Sequence, residues 1–446
     1  MPLPWGALRQ PGAALRLMPT PFPRLSEADC VRHCRDVVFG DAIHETDPAR
    51  HRFGIELEWL TADPDLARLQ IDVASAPVEA LSPFPSGSRL TLEPGGQIEL
   101  SSAPSGSLAE ACHRTANELF ELDRWCERNH IGLFALGSDP VRPPERVLDH
   151  PRYEAMEHYF DAMGPAGRTM MHNTASVQIN LGLGTPAERD DRWRTLNRIA
   201  PVLSGTFANS PLVEAEPSGW MSSRLRNWWA LDPTRSRPVP LGPSPVDDYT
   251  TYALDALVGF LAPVDGACTP IDPPLTFRTW ITHGCHGLWP TIDDFAYHLT
   301  TLFPPVRPKG WFELRAIDAL PTPFWMVAAV VSVALTIDET ARSKTAALLD
   351  RTQADHLWSA AAQHGLHHPV LGPVAIELFG IARQALGRLD VDPSIVDVVD
   401  TYTDRWVARG RCPADDRLDA WRNNGELFPP RESPVPYGRN VSVSPP

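Results

Sequence analysis

Four short segments of this chain carry acidic or amide side chains at every second position, the spacing that puts them on one face of a β-strand. They are Phe53–Trp59 with Glu56 and Glu58, Leu90–Leu100 with Glu93, Gln97 and Glu99, Ser176–Leu181 with Gln178 and Asn180, and Trp311–Arg315 with Glu313 and Arg315. The opposite parity is apolar: Phe53, Ile55, Leu57 and Trp59; Ile98 and Leu100; Val177, Ile179 and Leu181; Phe312 and Leu314. Residues two apart in a strand sit roughly 7 Å from each other, so Glu56 and Glu58 are close neighbours. Glu93 and Glu99 flank a hairpin turn. Gathered carboxylates raise one another's pKa and lose hydration unless something neutralises them. Mg²⁺ or Mn²⁺ would do so, because both are hard ions that take carboxylate, amide, water and phosphate oxygens. Glu313 would add a ligand, and Gln178 an amide oxygen. Arg315, one pleat from Glu313, would meet a transferred phosphate. The set suits phosphoryl transfer from a nucleotide. The ordinary alternative is a sheet with one solvated face, where alternating Glu and Gln need no ligand. The recurrence of the pattern in four segments weighs against it.

These residues need strands to hold them. A first strand is expected at about 51–61, preceded by a helix over 26–40 capped by Ser26. A Pro- and Gly-containing linker leads to two strands joined tightly by Pro94-Gly95-Gly96. Ser107 and Glu110 open a helix over 107–130, with Leu108, Ala111, Leu119, Leu122 and Trp125 as its apolar stripe. A short buried strand follows at Ile131–Leu136, then a helix over 151–163. The strand at 175–181 precedes a helix at about 187–207. Residues 217–247, rich in Arg, Trp and Pro, read as irregular. A helix over 292–302 leads to the last polar-faced strand at 310–316, and the chain is mostly helical from Pro323 to about 421. Residues 1–24 form a Pro-rich arm and 426–446 a Pro-rich tail. Short turns between some strands and helices between others argue an α+β fold with a mainly antiparallel sheet.

Composition narrows the function. The 446 residues are 43% hydrophobic and 21% charged, an ordinary globular balance. The net charge of −15 puts nucleic-acid binding at a disadvantage. No apolar run reaches membrane length, and Met1-Pro2-Leu3-Pro4-Trp5 lacks the pattern of a signal peptide. Seven cysteines, with no Cys-x-x-Cys, fit reduced thiols in a cytoplasm. Lysine occurs only at 309 and 344, outside any Gly-x-x-x-x-Gly-Lys context, which excludes a Walker-type loop. Gly182–Ala187 spells Gly-x-Gly-x-x-Ala, but its strand carries Gln178 and Asn180 and no acid follows about twenty residues on, so it is no dinucleotide site. No Gly-x-Ser-x-Gly turn occurs. His283-Gly284-Cys285-His286 lacks a second ligand cluster, and Trp228-Trp229 reads as packing.

The segments Gly54–Glu58, Glu93–Ser101, Thr174–Leu181, His298–Arg307 and Trp311–Arg315, in this order, resemble glutamate–cysteine ligases of the plant-type branch, and most of all the actinobacterial members that serve ergothioneine synthesis. The resemblance implies a glutamine-synthetase-like curved sheet with helices on its outer face, forming one catalytic domain over 25–425. It implies ATP-dependent joining of the glutamate γ-carboxylate to the cysteine amine through a γ-glutamyl phosphate, with a related ligase of another amine as the alternative. A metal-dependent hydrolase would not explain Arg315 and Arg224. By position, Glu56, Glu58, Glu93, Glu99, Gln178 and Glu313 resemble the metal-binding set, and Arg315 the phosphate-contacting arginine. Ser222–Trp228 resembles the segment whose arginine, here Arg224, holds the glutamate α-carboxylate, with Arg235 a second candidate. Asn180 would orient substrate. ATP, Mg²⁺ or Mn²⁺, L-glutamate and L-cysteine are the expected ligands. No nucleic-acid or membrane partner is expected, and assembly is expected to stop at a monomer or weak homodimer.

Overall fold

A computed structural model describes residues 24–261, 268–285, 287–389 and 391–430. Most of the Pro-rich arm and tail, and His286 of the His-Cys segment, lie outside the described residues.

Ser26 caps α1 (Glu27–His33), its hydroxyl and Asp29 closing a capping box. Strand β1 (Phe53–Ala62) follows. The expected linker after it holds a helix, α2 (Ile71–Leu81), with a proline inside it at Pro77. Strands β2 (Arg89–Leu92) and β3 (Ile98–Ser101) make the hairpin. At its turn Gly96 has φ of +84°, and a Cβ on Gly95 would lie 2.1 Å from the His172 carbonyl oxygen, so both positions need glycine. Next come α3 (Leu108–Arg128), β4 (Gly132–Phe134), α4 (Pro151–Asp161), α5 (Ala166–His172), β5 (Ser176–Leu181) and α6 (Pro186–Thr206).

The stretch read as irregular is partly helical. After the small hairpin of β6 (Leu212–Val213) and β7 (Glu216–Pro217) it contains α7 (Ser223–Trp229), α8 (Pro233–Ser236) and the start of α9 (Pro245–Asp255). Ser222, Asp232 and Ser244 cap these helices, and prolines sit where their missing N–H costs nothing, at the first helical position of α8 and α9. A second hairpin, β8 (Leu257–Phe260) with β9 (Pro270–Thr276), leads through α10 (Phe277–His283) and α11 (Ile292–Leu299) to β10 (Val306–Pro308) and β11 (Phe312–Asp318). The C-terminal part is helical, from α12 (Trp325–Ile337) to a last helix at Pro413–Asn424.

Among the described residues, seven strands form the main sheet in the order β10-β11-β5-β1-β3-β2, with β4 also on β1. Every pairing is antiparallel. The apolar parity of these strands packs into one core with α3, α6 and α12, and every residue of α12 from Trp325 to Thr336 is buried. This is the expected α+β arrangement, with helices on the apolar side. A second, smaller apolar cluster of α4, α5, α7 and β8 stands apart from it and includes Tyr159, Phe160, Leu225 and Trp228.

Candidate active site

The polar parity forms a continuous face. Register sets Glu58 opposite Glu99, Glu56 opposite Gln178, and Glu313 opposite Asn180. On β10, Arg307 stands opposite Glu313. Within β11 the pairing with β5 slips by one residue between Leu314 and Ile317, a β-bulge. A bulge inverts the parity that follows it. Ile317 therefore falls opposite Val177 on the apolar side, and Asp318 opposite Ser176 on the polar side.

One half of this face is acidic, and the nearby cations only partly offset the burial of its carboxylates. Burial raises the Glu56 carboxyl, and Glu99 and Glu313 add to the rise, to about 7. Burial likewise raises Glu58, although Arg224 and Arg315 oppose it. Burial, Glu99 and Glu58 push Glu93 well above the ordinary range, and burial with Glu58 raises Glu99. Glu56, Glu58 and Glu99 take neutral donors. Glu58 accepts from the Ser176 N–H at 2.8 Å and Gln178 Nε2 at 2.7 Å. Glu56 accepts from Asn180 Nδ2 at 2.9 Å. Glu99 accepts from the hydroxyls of Ser101 at 2.7 Å and Thr91 at 3.2 Å.

The other half is cationic. Glu313 Oε2 accepts from Arg307 Nε and from Arg315 Nη1, each at 2.8 Å, and its Oε1 from Lys309 Nζ at 3.1 Å. Burial alone would raise this carboxyl, but Arg307, Lys309 and Arg315 outweigh it and hold it well below the usual range. Arg315 also donates to Gln178 Oε1, and its Nε is a buried donor with no hydrogen-bond partner. Arg224 on α7 donates from Nη2 to the Arg315 carbonyl at 2.8 Å, and its Nη1, 3.7 Å from Asp318 Oδ1, is likewise unpartnered. Leaving buried donors unmet costs about 1–3 kcal/mol each, and an oxyanion between the two guanidinium groups would recover it.

Asp318 holds this corner together. Its Oδ2 accepts from the Asn209 N–H at 2.9 Å and the Ser210 hydroxyl at 2.7 Å, and its Oδ1 from the Ser222 hydroxyl at 3.0 Å. Ser222 caps α7, so the acid fixes the start of the helix that bears Arg224. A Cβ on Gly137 would sit 2.4 Å from Asp318 Cγ, so glycine is what lets the carboxylate in.

The strands thus bring Glu56, Glu58, Glu93, Glu99, Gln178, Asn180, Glu313 and Arg315 to one region, and α7 adds Arg224. Arg235 departs from expectation. It is 1% exposed, and its donors are taken by Asp232, the Thr301 carbonyl and hydroxyl, and the Leu257 carbonyl. Its guanidinium lies over Tyr159 and has no face for a substrate carboxylate. Gln97 also turns from the acids: it bonds Gly95, Thr174 and Met171 and ties the turn to α5. Trp228 is buried and donates to the Phe303 carbonyl at 2.9 Å, a packing residue. Arg307, Lys309 and Asp318 were not among the residues expected in the site. The parity of Val306-Arg307-Pro308 across a hairpin was a usable signal for the first; nothing in local spacing marks the bulge that delivers the third.

Hard divalent cations suit the acidic half, whose carboxylates offer oxygen ligands and stay raised despite Arg224 and Arg315. As the side chains stand, no three acidic, His or Cys groups among the described residues converge to hold a single ion. All seven cysteines are free, and no helix of the described residues is long and apolar enough to cross a membrane.

The chain is similar to known proteins over most of its length. The sequence profile of glutamate-cysteine ligase family 2 matches residues 52–431. A glutamate–cysteine ligase EgtA of Mycolicibacterium smegmatis is 36% identical over 377 residues, covering 82% of this chain and 86% of the relative. The chloroplastic glutamate–cysteine ligase of Solanum lycopersicum is 30% identical over 321 residues, 67% of this chain and 60% of its own length. Among solved structures, a glutamate–cysteine ligase of Francisella tularensis in complex with AMP superposes with a TM-score of 0.51 at 13% identity, covering 84% of this chain and 86% of that one. A bifunctional glutathione synthetase of Pasteurella multocida gives 0.50 at 14% identity, with 85% of this chain and 51% of the larger one covered. At such identities these two likenesses speak to the fold alone.

Proposed function

The chain belongs to glutamate–cysteine ligase family 2, and on that premise we propose that its polar sheet face joins L-glutamate to L-cysteine at the expense of ATP. The γ-carboxylate of glutamate takes the γ-phosphoryl group of ATP, releasing ADP. The cysteine amine then attacks the acyl phosphate, phosphate leaves, and γ-glutamylcysteine forms. The product would feed ergothioneine synthesis. A single catalytic domain over 25–425 and a cytoplasmic setting fit this role.

The observation that carries the reading is the pairing of two unlike halves. Buried carboxylates whose counter-charge is incomplete face buried guanidinium N–H groups without acceptors. Cations and a phosphorylated substrate complete both at once. Glu56, Glu58, Glu93 and Glu99 would hold Mg²⁺ or Mn²⁺, with Gln178 and Glu313 at the boundary, where each is bonded to Arg315. Such ions, when bound, neutralise phosphate charge and polarise the transferred group. Arg315 lies where it would meet the transferred phosphoryl group and stabilise its developing charge. Arg224 would take the α-carboxylate of glutamate through its unpartnered edge, in a position set by Asp318. Asn180 donates to Glu56 and accepts from Trp311 Nε1 at 2.8 Å, so its part is to orient an acid beside the substrate.

The test is mass detection of γ-glutamylcysteine from glutamate, cysteine, ATP and Mg²⁺, with an EDTA control and a panel of other amino acids. Product with cysteine, lost in EDTA, is expected. Turnover with cysteine no higher than with other amines would replace the acceptor, and ATP binding without any product would end the ligase reading.

A further inference from the structure

One aromatic residue breaks the polar parity of the sheet face. Trp311, immediately before β11, has the parity of Glu313 and Arg315, and it stays partly exposed while its apolar-parity neighbour Phe312 is fully buried. The ring is held at its polar edge, where Nε1 donates to Asn180 Oδ1 at 2.8 Å. Lys309 Nζ stands 5.0 Å from the ring centroid and 3.1 Å from Glu313 Oε1. An indole anchored at its N–H, with the Lys309 cation beside its ring, suits a planar, electron-rich ligand that carries negative charge.

The direction along the strand says which ligand. Arg224 and Asp318 mark the end of β11 where glutamate would lie, and Arg315 comes next. A phosphate donor at Arg315 must therefore extend the other way, toward Glu313, Lys309 and Trp311. From Arg315 to Trp311 is four residues, roughly 13 Å at the rise of a strand, comparable with the reach from the terminal phosphate to the base of an extended nucleoside triphosphate. We propose that Trp311 is the platform on which the adenine of ATP stacks, and that Lys309 moves from the indole and Glu313 onto the phosphates. The inference rests on the ligase reading and adds to it the orientation of the nucleotide and the residue that reads its base.

Calorimetric titration with AMP and, separately, with inorganic tripolyphosphate tests it on the full chain in Mg²⁺. Base–aromatic stacking predicts that Trp311→Leu weakens AMP binding by about tenfold or more, with tripolyphosphate binding and the KM for glutamate unchanged. Trp311→Phe keeps a ring but loses the bond to Asn180, so it should stay within a few-fold of the parent. Lys309→Met should show the converse, with tripolyphosphate weakened more than AMP. If Trp311→Leu binds AMP like the parent, or if Phe is as damaging as Leu, the platform is refuted and Trp311 merely positions Asn180. Product formation by the parent is measured alongside. An active parent with an unaffected Leu variant sinks this inference alone, whereas an inactive parent that still loses AMP in the Leu variant sinks the ligase reading and leaves the platform standing.

Discussion

Glu99 and Glu313 are the same residue on the same face of the same sheet, yet their surroundings push them in opposite directions. Around Glu99 the neighbours are hydroxyls and another acid, Glu58, and the carboxyl is raised. Around Glu313 they are Arg307, Lys309 and Arg315, and the carboxyl is held ionised. The contrast teaches that acidic residues sharing a face need not share a role. The half built from β1, β2 and β3 must borrow positive charge from solution, while the half built from β10 and β11 brings its own. A phosphoryl-transfer site needs both, the first to gather ions and the second to meet oxyanions.

The largest effect should come from removing an acid on the side whose counter-charge is incomplete. Glu99→Gln is expected to lower turnover by at least a hundredfold, the scale of losing one electrostatic contact to a transition state. It should at the same time raise the melting temperature in EDTA, because it removes a like charge beside Glu58 and Glu93. Near-normal turnover in this variant would dissolve the distinction between the halves. Next in size, Arg315→Lys keeps charge but not the planar fork that spans Glu313 and Gln178. A fall in kcat of about a hundredfold is expected, with the KM values for glutamate, cysteine and ATP little changed; a change confined to KM would make Arg315 a binding residue only. Arg224→Lys should act on binding instead, raising the KM for glutamate about tenfold or more, as loss of a charged hydrogen bond does, with kcat nearly kept.

The smallest effect is on stability. Glu56, Glu58, Glu93 and Glu99 all have raised carboxyls, so between the ordinary carboxylate range and about 7, the value for Glu56, the folded chain binds protons that the unfolded chain has released. Stability without metal should therefore fall as pH rises through that window. Mg²⁺ binds the charged forms, so the rise in melting temperature it gives should be greater at pH 8 than at pH 5.5. A Mg²⁺ effect independent of pH would place the ion away from these acids.

Much of the site was legible because strand parity is a strict code wherever one face is buried. Phe53–Trp59 and Ser176–Leu181 follow it without a break, and register alone then sets Glu56 against Gln178 and Glu58 against Glu99. The hairpin at Pro94-Gly95-Gly96 was legible from its turn residues. What escaped notice depends on contacts between distant segments. The family resemblance offered Arg235 as a second carboxylate clamp, but Asp232, Thr301 and Leu257 enclose it. The helices of 217–255 are short and begin at Ser and Asp caps among prolines, which from composition alone resemble a loop. Helix α2 hides the same way, with Pro77 inside it. Asp318 was missed because alternation counted from Glu313 assigns it to the core.

That last slip has a genetic corollary. The one-residue offset in β11 makes the strand's length as informative as its composition. Deleting the Ala316 codon would remove the extra residue and leave Leu314, Arg315, Ile317 and Asp318 in plain alternation, with Ile317 still in the core and Asp318 still among the acids. Lineages of this enzyme should therefore tolerate loss of one residue between Leu314 and Ile317 far better than loss of two, which would turn Ile317 out and Asp318 toward the core.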